Sequence, residues 1–183
     1  MLPAIFLDRD GVLIENQPNY VRSWADVILF PEAMAAVAAA SRLLPHKIII
    51  VTNQSAVGQG LVSLSTVEAI NQQLVQLITA ANGRIDAVFT CPHLPADRCL
   101  CRKPQPGMLL QAATQFDLDL SQSIMIGDAL TDVVAGRQAG VAVSALVRTG
   151  RGVEQLQLPE ARRLQPLPVF DHLSAALQSI LAL

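Results

Sequence analysis

No apolar run in this chain approaches the roughly 18 residues needed to span a bilayer, so no membrane partner is expected. A basic cluster is also missing. The thirteen Lys and Arg are scattered among fifteen Asp and Glu for a formal charge of −2, which leaves no electrostatic footprint for nucleic acid. Met1-Leu2-Pro3 leads directly into an apolar run, with no basic segment and apolar signal core before it, and a cytoplasmic location is expected. There are only three cysteines, an odd number that cannot pair completely. Charged residues are sparse, at 15% against 51% hydrophobic, a balance that excludes disorder. Internal repeats and low-complexity tracts are absent. A chain of 183 residues can bury one proper core but is short for two. A single domain over 1–183 is expected, acting as a monomer on a small anionic ligand.

What is present is an alternation of short apolar runs with longer helical patterns, which implies α/β architecture: a doubly wound, mainly parallel sheet with helices on both faces. Strands are expected at 4–7, 48–51, 88–90, 123–126 and 141–146. A helix should run from Pro31 until Pro45 ends it, with Met34, Val37, Ala38 and Leu44 inward. Ser65-Thr66-Val67-Glu68 reads as a capping box opening a second helix, with Val67, Ile70, Leu74 and Leu77 on one side. Further helices are expected over Gly107 to Phe116, over Asp132 to Ala139, and from Asp171 through Leu173, Leu177, Ile180 and Leu181. Leu13 to Phe30 fits neither period; its turn-rich Asn16-Gln17-Pro18-Asn19 reads as a flap, and Asn16 to Tyr20 should border a ligand. Arg148 to Pro168 reads as the least structured part.

The chemistry gathers at expected strand ends. Ile5-Phe6-Leu7-Asp8-Arg9-Asp10-Gly11 is a strand whose period of two puts Asp8 and Asp10 on the same side, while Gly11 lets the chain leave the sheet. Two such acids suit a hard divalent cation and one oxygen of a phosphate ester, although alone they would fit a surface turn as well. Thr52 lies at the carboxyl end of the second strand, so it and Asp8 should face the crevice where open α/β sheets bind ligands, and Asp128 follows directly on the fourth strand. Asp132, four positions after Asp128, points the same way in a helical start, or simply complements the helix dipole. Lys103 and Arg102 supply cations in a proline-rich loop.

Asp8-Arg9-Asp10-Gly11-Val12, Thr52, Lys103 and Gly127-Asp128 resemble, in order, the four motifs of the haloacid-dehalogenase superfamily of phosphotransferases. The resemblance spans about Ile5 to Gly150 and implies a magnesium-dependent phosphatase without a large cap domain. It makes Asp8 the nucleophile and Asp10 the general acid/base, with Thr52 and Lys103 on the phosphoryl oxygens. Mg²⁺ would be held by Asp8, the backbone carbonyl of Asp10 and Asp128, with Asp132 orienting that set from behind. Asn53, Gln54, Ser55 and Arg102 would contact substrate, the last in a bidentate grip on a second anionic group. A phospho-acceptor signalling domain is the other reading of acids, Thr and Lys on such a sheet. Its acceptor normally follows the third strand, where Cys91 stands here.

All three cysteines lie in Cys91-Pro92-His93-Leu94-Pro95-Ala96-Asp97-Arg98-Cys99-Leu100-Cys101. Cys91, His93, Cys99 and Cys101 form a full tetrahedral set for Zn²⁺ with no open position, which marks a structural site; a disulfide is the competing use. The spacing resembles the zinc loop shared by D-glycero-D-manno-heptose 1,7-bisphosphate phosphatases and related histidinol-phosphate phosphatases. That resemblance implies a small phosphorylated substrate: a heptose 1,7-bisphosphate losing its 7-phosphate, or alternatively histidinol phosphate or another small polyol phosphate. Ala56-Val57-Gly58-Gln59-Gly60 departs from the Gly-Ile-Ala-Arg-Gly frequent in these proteins and removes a cation.

Overall fold

The computed structural model describes residues 1–181. Six strands, Ala4–Leu7 (β1), Lys47–Asn53 (β2), Ala87–Cys91 (β3), Ile124–Gly127 (β4), Val143–Val147 (β5) and Val169–Phe170 (β6), form one sheet in the order β3-β2-β1-β4-β5-β6, every pairing parallel. Parallel strands covered on both faces read as continuous apolar runs, and alternate residues here serve separate cores. Ile5, Leu7, Ile48 and Ile50 pack into one cluster with Pro31–Leu43 (α1), Leu64–Ala80 (α3) and Leu173–Leu181 (α8). Phe6, Ile49, Val51 and Met125 pack into the other with Gly107–Phe116 (α4) and Leu130–Ala139 (α5). The sheet is therefore doubly wound, as expected. No helix among the described residues is long and apolar enough to cross a membrane.

Several boundaries differ from the sequence reading. Ser63, not Ser65, caps α3, its hydroxyl accepting from the Thr66 amide at 3.0 Å, so the helix begins at Leu64. β2 runs past Thr52 to Asn53, because β3 pairs with it as far as Cys91. β5 begins only at Val143: Gly140, in the left-handed region, ends α5, and the chain needs two residues to turn back. Ser55–Gly58 (α2) is one short turn directly after β2. The largest correction concerns 148–168, which holds Gly152–Gln157 (α6) and Pro159–Arg163 (α7) before β6. Each is under two turns, too short to display a period of 3.6, yet Ala161 and Leu167 are buried with Leu130, Val133 and Leu146 in a third small core. The flap expected at 13–30 is a loop broken by one 3-10 turn at Trp24–Asp26; buried Leu13, Ile14 and Val21 moor it to the main core.

Candidate active site

Because every strand is parallel, all carboxyl ends lie along one edge, and strand order reverses between β1 and β4, where α/β sheets open a crevice. Asp8 follows β1, Thr52 lies near the end of β2, and Asp128 follows β4, which brings three of the expected side chains to this point. Gly11, at φ +83°, turns the chain away from β1; a Cβ there would run into the Asp128 carboxylate and the Asn16 amide.

Asp8, Asp128 and Asp132 each present a carboxylate oxygen within 4.8 Å of the others, and all three are buried. Such a set of hard oxygen donors fits a divalent cation. Lys103 Nζ lies 3.0 Å from Asp8 Oδ1 and 2.6 Å from Asp132 Oδ1, and donates to the Val51 carbonyl at 2.8 Å. The other Asp132 oxygen accepts from the Ala129 amide at 3.0 Å, fixing the acid at the start of α5. Burial, with Asp132, Asp128 and Asp10 adding repulsion against the attraction of Lys103, pushes the Asp8 carboxyl up to about 8. Burial and Asp132 likewise raise Asp128, against Arg151. For Lys103, burial alone would favour the neutral amine; Asp132 and Asp8 outweigh it and hold the ammonium above its ordinary 10.5.

The remaining predicted residues divide by what they touch. Asn53 spends both ends of its amide on the Lys103 backbone, donating to its carbonyl at 3.0 Å and accepting from its N–H at 3.1 Å. Gln54 Nε2 donates to Asp10 Oδ2 and to Thr52 Oγ1, both at 2.8 Å. Ser55 opens α2 at the cavity wall. Arg102 donates to the His93 carbonyl at 3.0 Å, tying the cysteine loop to the crevice. A cavity of about 730 Å³ connects Asp8, Asp10, Lys103 and Arg102 with Asn16, Gln17, Pro18 and Tyr20 of the flap, which borders it as expected.

The contacts that Asn16, Thr149 and Arg151 make at this centre escaped the sequence reading. Asn16 Nδ2 donates to Asp128 Oδ2 at 2.6 Å, and Arg151 reaches both oxygens of Asp128 with its guanidinium, adding a 2.9 Å bond from its backbone N–H. Thr149 Oγ1 donates to the Gly11 carbonyl at 2.6 Å, clamping the loop after β5 on the β1 turn. The signal for these was positional: residues just beyond a strand end of an α/β sheet, in segments lacking periodicity.

In the cysteine loop, Cys91 Sγ lies 3.7 Å from Cys99 Sγ and 3.3 Å from Cys101 Sγ, with Cys99 and Cys101 3.4 Å apart. His93 Nδ1 is 3.5 Å from Cys91 and 3.3 Å from Cys101. The sulfurs are far beyond a disulfide bond length of about 2.05 Å, and all three cysteines are free. Four donors about 2.0–2.3 Å from one ion stand roughly 3.5–3.8 Å apart at tetrahedral angles, so this cluster fits a metal ion.

A doubly wound sheet with an Asp-x-Asp-Gly turn at the switch point, facing a Thr, a buried Lys and further acids, defines a haloacid-dehalogenase-like phosphoric monoester hydrolase. The HAD-hydrolase-like family model matches residues 100–176. D-glycero-beta-D-manno-heptose-1,7-bisphosphate 7-phosphatase of Bordetella bronchiseptica is 37% identical over 98% of both chains, and that of Pseudomonas aeruginosa is 34% identical over 97% of both. The crystal structure of the D,D-heptose 1,7-bisphosphate phosphatase from B. bronchiseptica complexed with magnesium and phosphate superposes with a TM-score of 0.89, at 34% identity over 99% of both chains. The chain belongs to this heptose-bisphosphate phosphatase family.

Proposed function

We propose that this chain hydrolyses the 7-phosphate of a D-glycero-D-manno-heptose 1,7-bisphosphate through a phosphoryl group carried on Asp8. The supporting observation is Asp8 itself, buried beside Lys103 on the cavity wall with Asp10 two residues on, in a chain whose near full-length relatives carry that activity in their names. An Asp8 carboxylate oxygen attacks phosphorus as the ester P–O bond breaks, and Asp10 gives its proton to the departing alkoxide. Asp10 then takes a proton from water attacking the aspartyl phosphate, releasing inorganic phosphate and restoring Asp8. Thr52 and Lys103 hold the phosphoryl oxygens.

Mg²⁺ would be held by Asp8, Asp128 and the backbone carbonyl of Asp10, where it would offset the repulsion between an anionic nucleophile and an anionic ester. Asp132 keeps the Lys103 ammonium at this centre, and Asn53 fixes the lysine backbone. Arg102, which also lines the cavity, suits the second phosphate of a bisphosphate. The chain is read as one domain, acting as a cytoplasmic monomer.

The test is a comparison of kcat/KM for purified protein on heptose 1,7-bisphosphate, histidinol phosphate and simple polyol phosphates. The heptose bisphosphate is expected to lead. A lead for histidinol phosphate by orders of magnitude would replace the substrate while leaving the reaction intact.

Cys91, His93, Cys99 and Cys101 are assigned to a structural Zn²⁺. Protein purified without chelators should carry close to one equivalent that survives dialysis, and elemental analysis finding less than about half would rule out the closed site. Cys99→Ser should lower thermal stability and activity together, because Arg102 and Lys103 follow directly on the loop, while the sheet stays folded.

A further inference from the structure

Arg9 stands between the two acids of the first motif, wholly buried, and the reaction as proposed makes no use of it. The strand period would send it to the opposite side from Asp8 and Asp10, yet its guanidinium folds back onto its neighbour. Nε donates to Asp10 Oδ2 at 3.2 Å and one terminal nitrogen to Asp10 Oδ1 at 3.1 Å. The other terminal nitrogen donates to Asn71 Oδ1 at 2.8 Å. Asn71 belongs to α3, where it is buried in the same stripe as Val67, Ile70 and Leu74. Its own amide nitrogen is 3.3 Å from Thr90 Oγ1, on β3. From the opposite side, Gln54 reaches Asp10 Oδ2.

A buried guanidinium is poor material for stability, since well-packed apolar residues in place of a buried ion pair often do as well or better. What a two-pronged contact supplies is orientation: the planar fork fixes the plane of the carboxylate it grips. Arg9 cannot fix anything unless it is itself anchored, and the Asn71 bond is that anchor.

We propose that Arg9 and Asn71 are positioning residues, which together hold the Asp10 carboxylate in the orientation from which it exchanges its proton with the leaving oxygen. The proposal rests on the reading of Asp10 as the general acid/base. Asn71 does not line the catalytic cavity; it borders a separate groove with Leu64, Glu68 and Val75. An effect of Asn71 on proton transfer must therefore pass through Arg9.

The experiment measures kcat/KM, which reports the steps up to release of the leaving group and not the later hydrolysis common to both substrates, on a sugar phosphate, whose alkoxide needs a proton to leave, and on p-nitrophenyl phosphate, whose phenoxide needs little. Arg9→Met should lower kcat/KM on the sugar phosphate by about 10²-fold and Asn71→Leu by about tenfold, each with a loss several times smaller on the aryl ester. Asn71→Asp, which keeps the acceptor for Arg9, should recover most of the rate. This second pair carries the test if Arg9→Met fails to fold. Equal losses on both esters, or no recovery in Asn71→Asp, would mean a purely structural role and overturn the proposal. Asp10→Asn, run alongside, should show the same ester selectivity more strongly. If its loss is equal on both esters, the acid/base reading of Asp10 falls and the clamp falls with it. If Asp10→Asn is selective and the Arg9 and Asn71 variants are not, the clamp alone is wrong.

Discussion

Asp8→Asn protein is expected to fold normally and turn over essentially no substrate, with a loss of at least ~10⁴-fold. The substitution is nearly isosteric and keeps an oxygen where Asp8 Oδ1 accepts the Arg9 amide at 2.7 Å and faces Lys103 Nζ at 3.0 Å. What disappears is a carboxylate able to form the covalent link to phosphorus. Burial first, and then the surrounding acids, push Asp8 up to about 8, so the fold already favours a neutral group there and the melting temperature should not fall. Circular dichroism and a single-turnover assay with labelled substrate check both halves. A variant retaining more than about one hundredth of the wild-type rate would move the nucleophile elsewhere.

Lys103→Met should lose activity by about 10³-fold and, unlike Asp8→Asn, lose stability as well. Lys103 is a wholly buried ammonium between two buried carboxylates, and removing one member of such a group typically costs roughly 3–5 kcal/mol by stranding the others. The folded state holds its pKa above 10.5 through Asp132 and Asp8, against burial. Its contribution is therefore fully present at any pH below 10.5 and fades only as pH rises through the elevated folded value. The deficit of the variant in denaturant midpoint should therefore hold nearly level below pH 10 and shrink as the pH climbs above 10.5. A deficit that stayed unchanged above pH 10.5 would show that Lys103 acts through packing alone.

The sheet and its reaction centre were legible because both obey short-range rules. Apolar runs of three to six residues, separated by helical stretches, marked five of the six parallel strands, while β6, two residues long, left no such run. Acids and a Thr placed at their carboxyl ends could then be read as facing one crevice. The three-carboxylate group of Asp8, Asp128 and Asp132 came together accordingly, and so did the four donors of the cysteine loop. What escaped depends on tertiary contacts that carry no period. Arg151 and Asn16 meet at Asp128 from segments far apart in the chain, and α6 and α7 are too short to reveal an amphipathic face. Asn71 left a faint trace: a polar residue inside the stripe of Val67, Ile70, Leu74 and Ile78, where only a satisfied side chain can afford to be.

The position of β1 at the centre of the sheet also bears on how the protein is made. β1 is an early strand in the chain and finds β2 as soon as Lys47–Asn53 is available, but its other neighbour, β4, comes from Ile124–Gly127. During synthesis, then, this wholly apolar strand waits with one hydrogen-bonding edge open while much of the chain is still being translated at about 5–20 residues per second. Such an edge is a template for another nascent chain. Ribosome-bound chains in which β4 and β5 have left the tunnel should therefore aggregate less and recruit fewer chaperones than those that stop before Ile124. They should also be catalytically silent, since Asp128 and Asp132 leave the ribosome last among the three carboxylates: the enzyme cannot begin to work before its own sheet is closed.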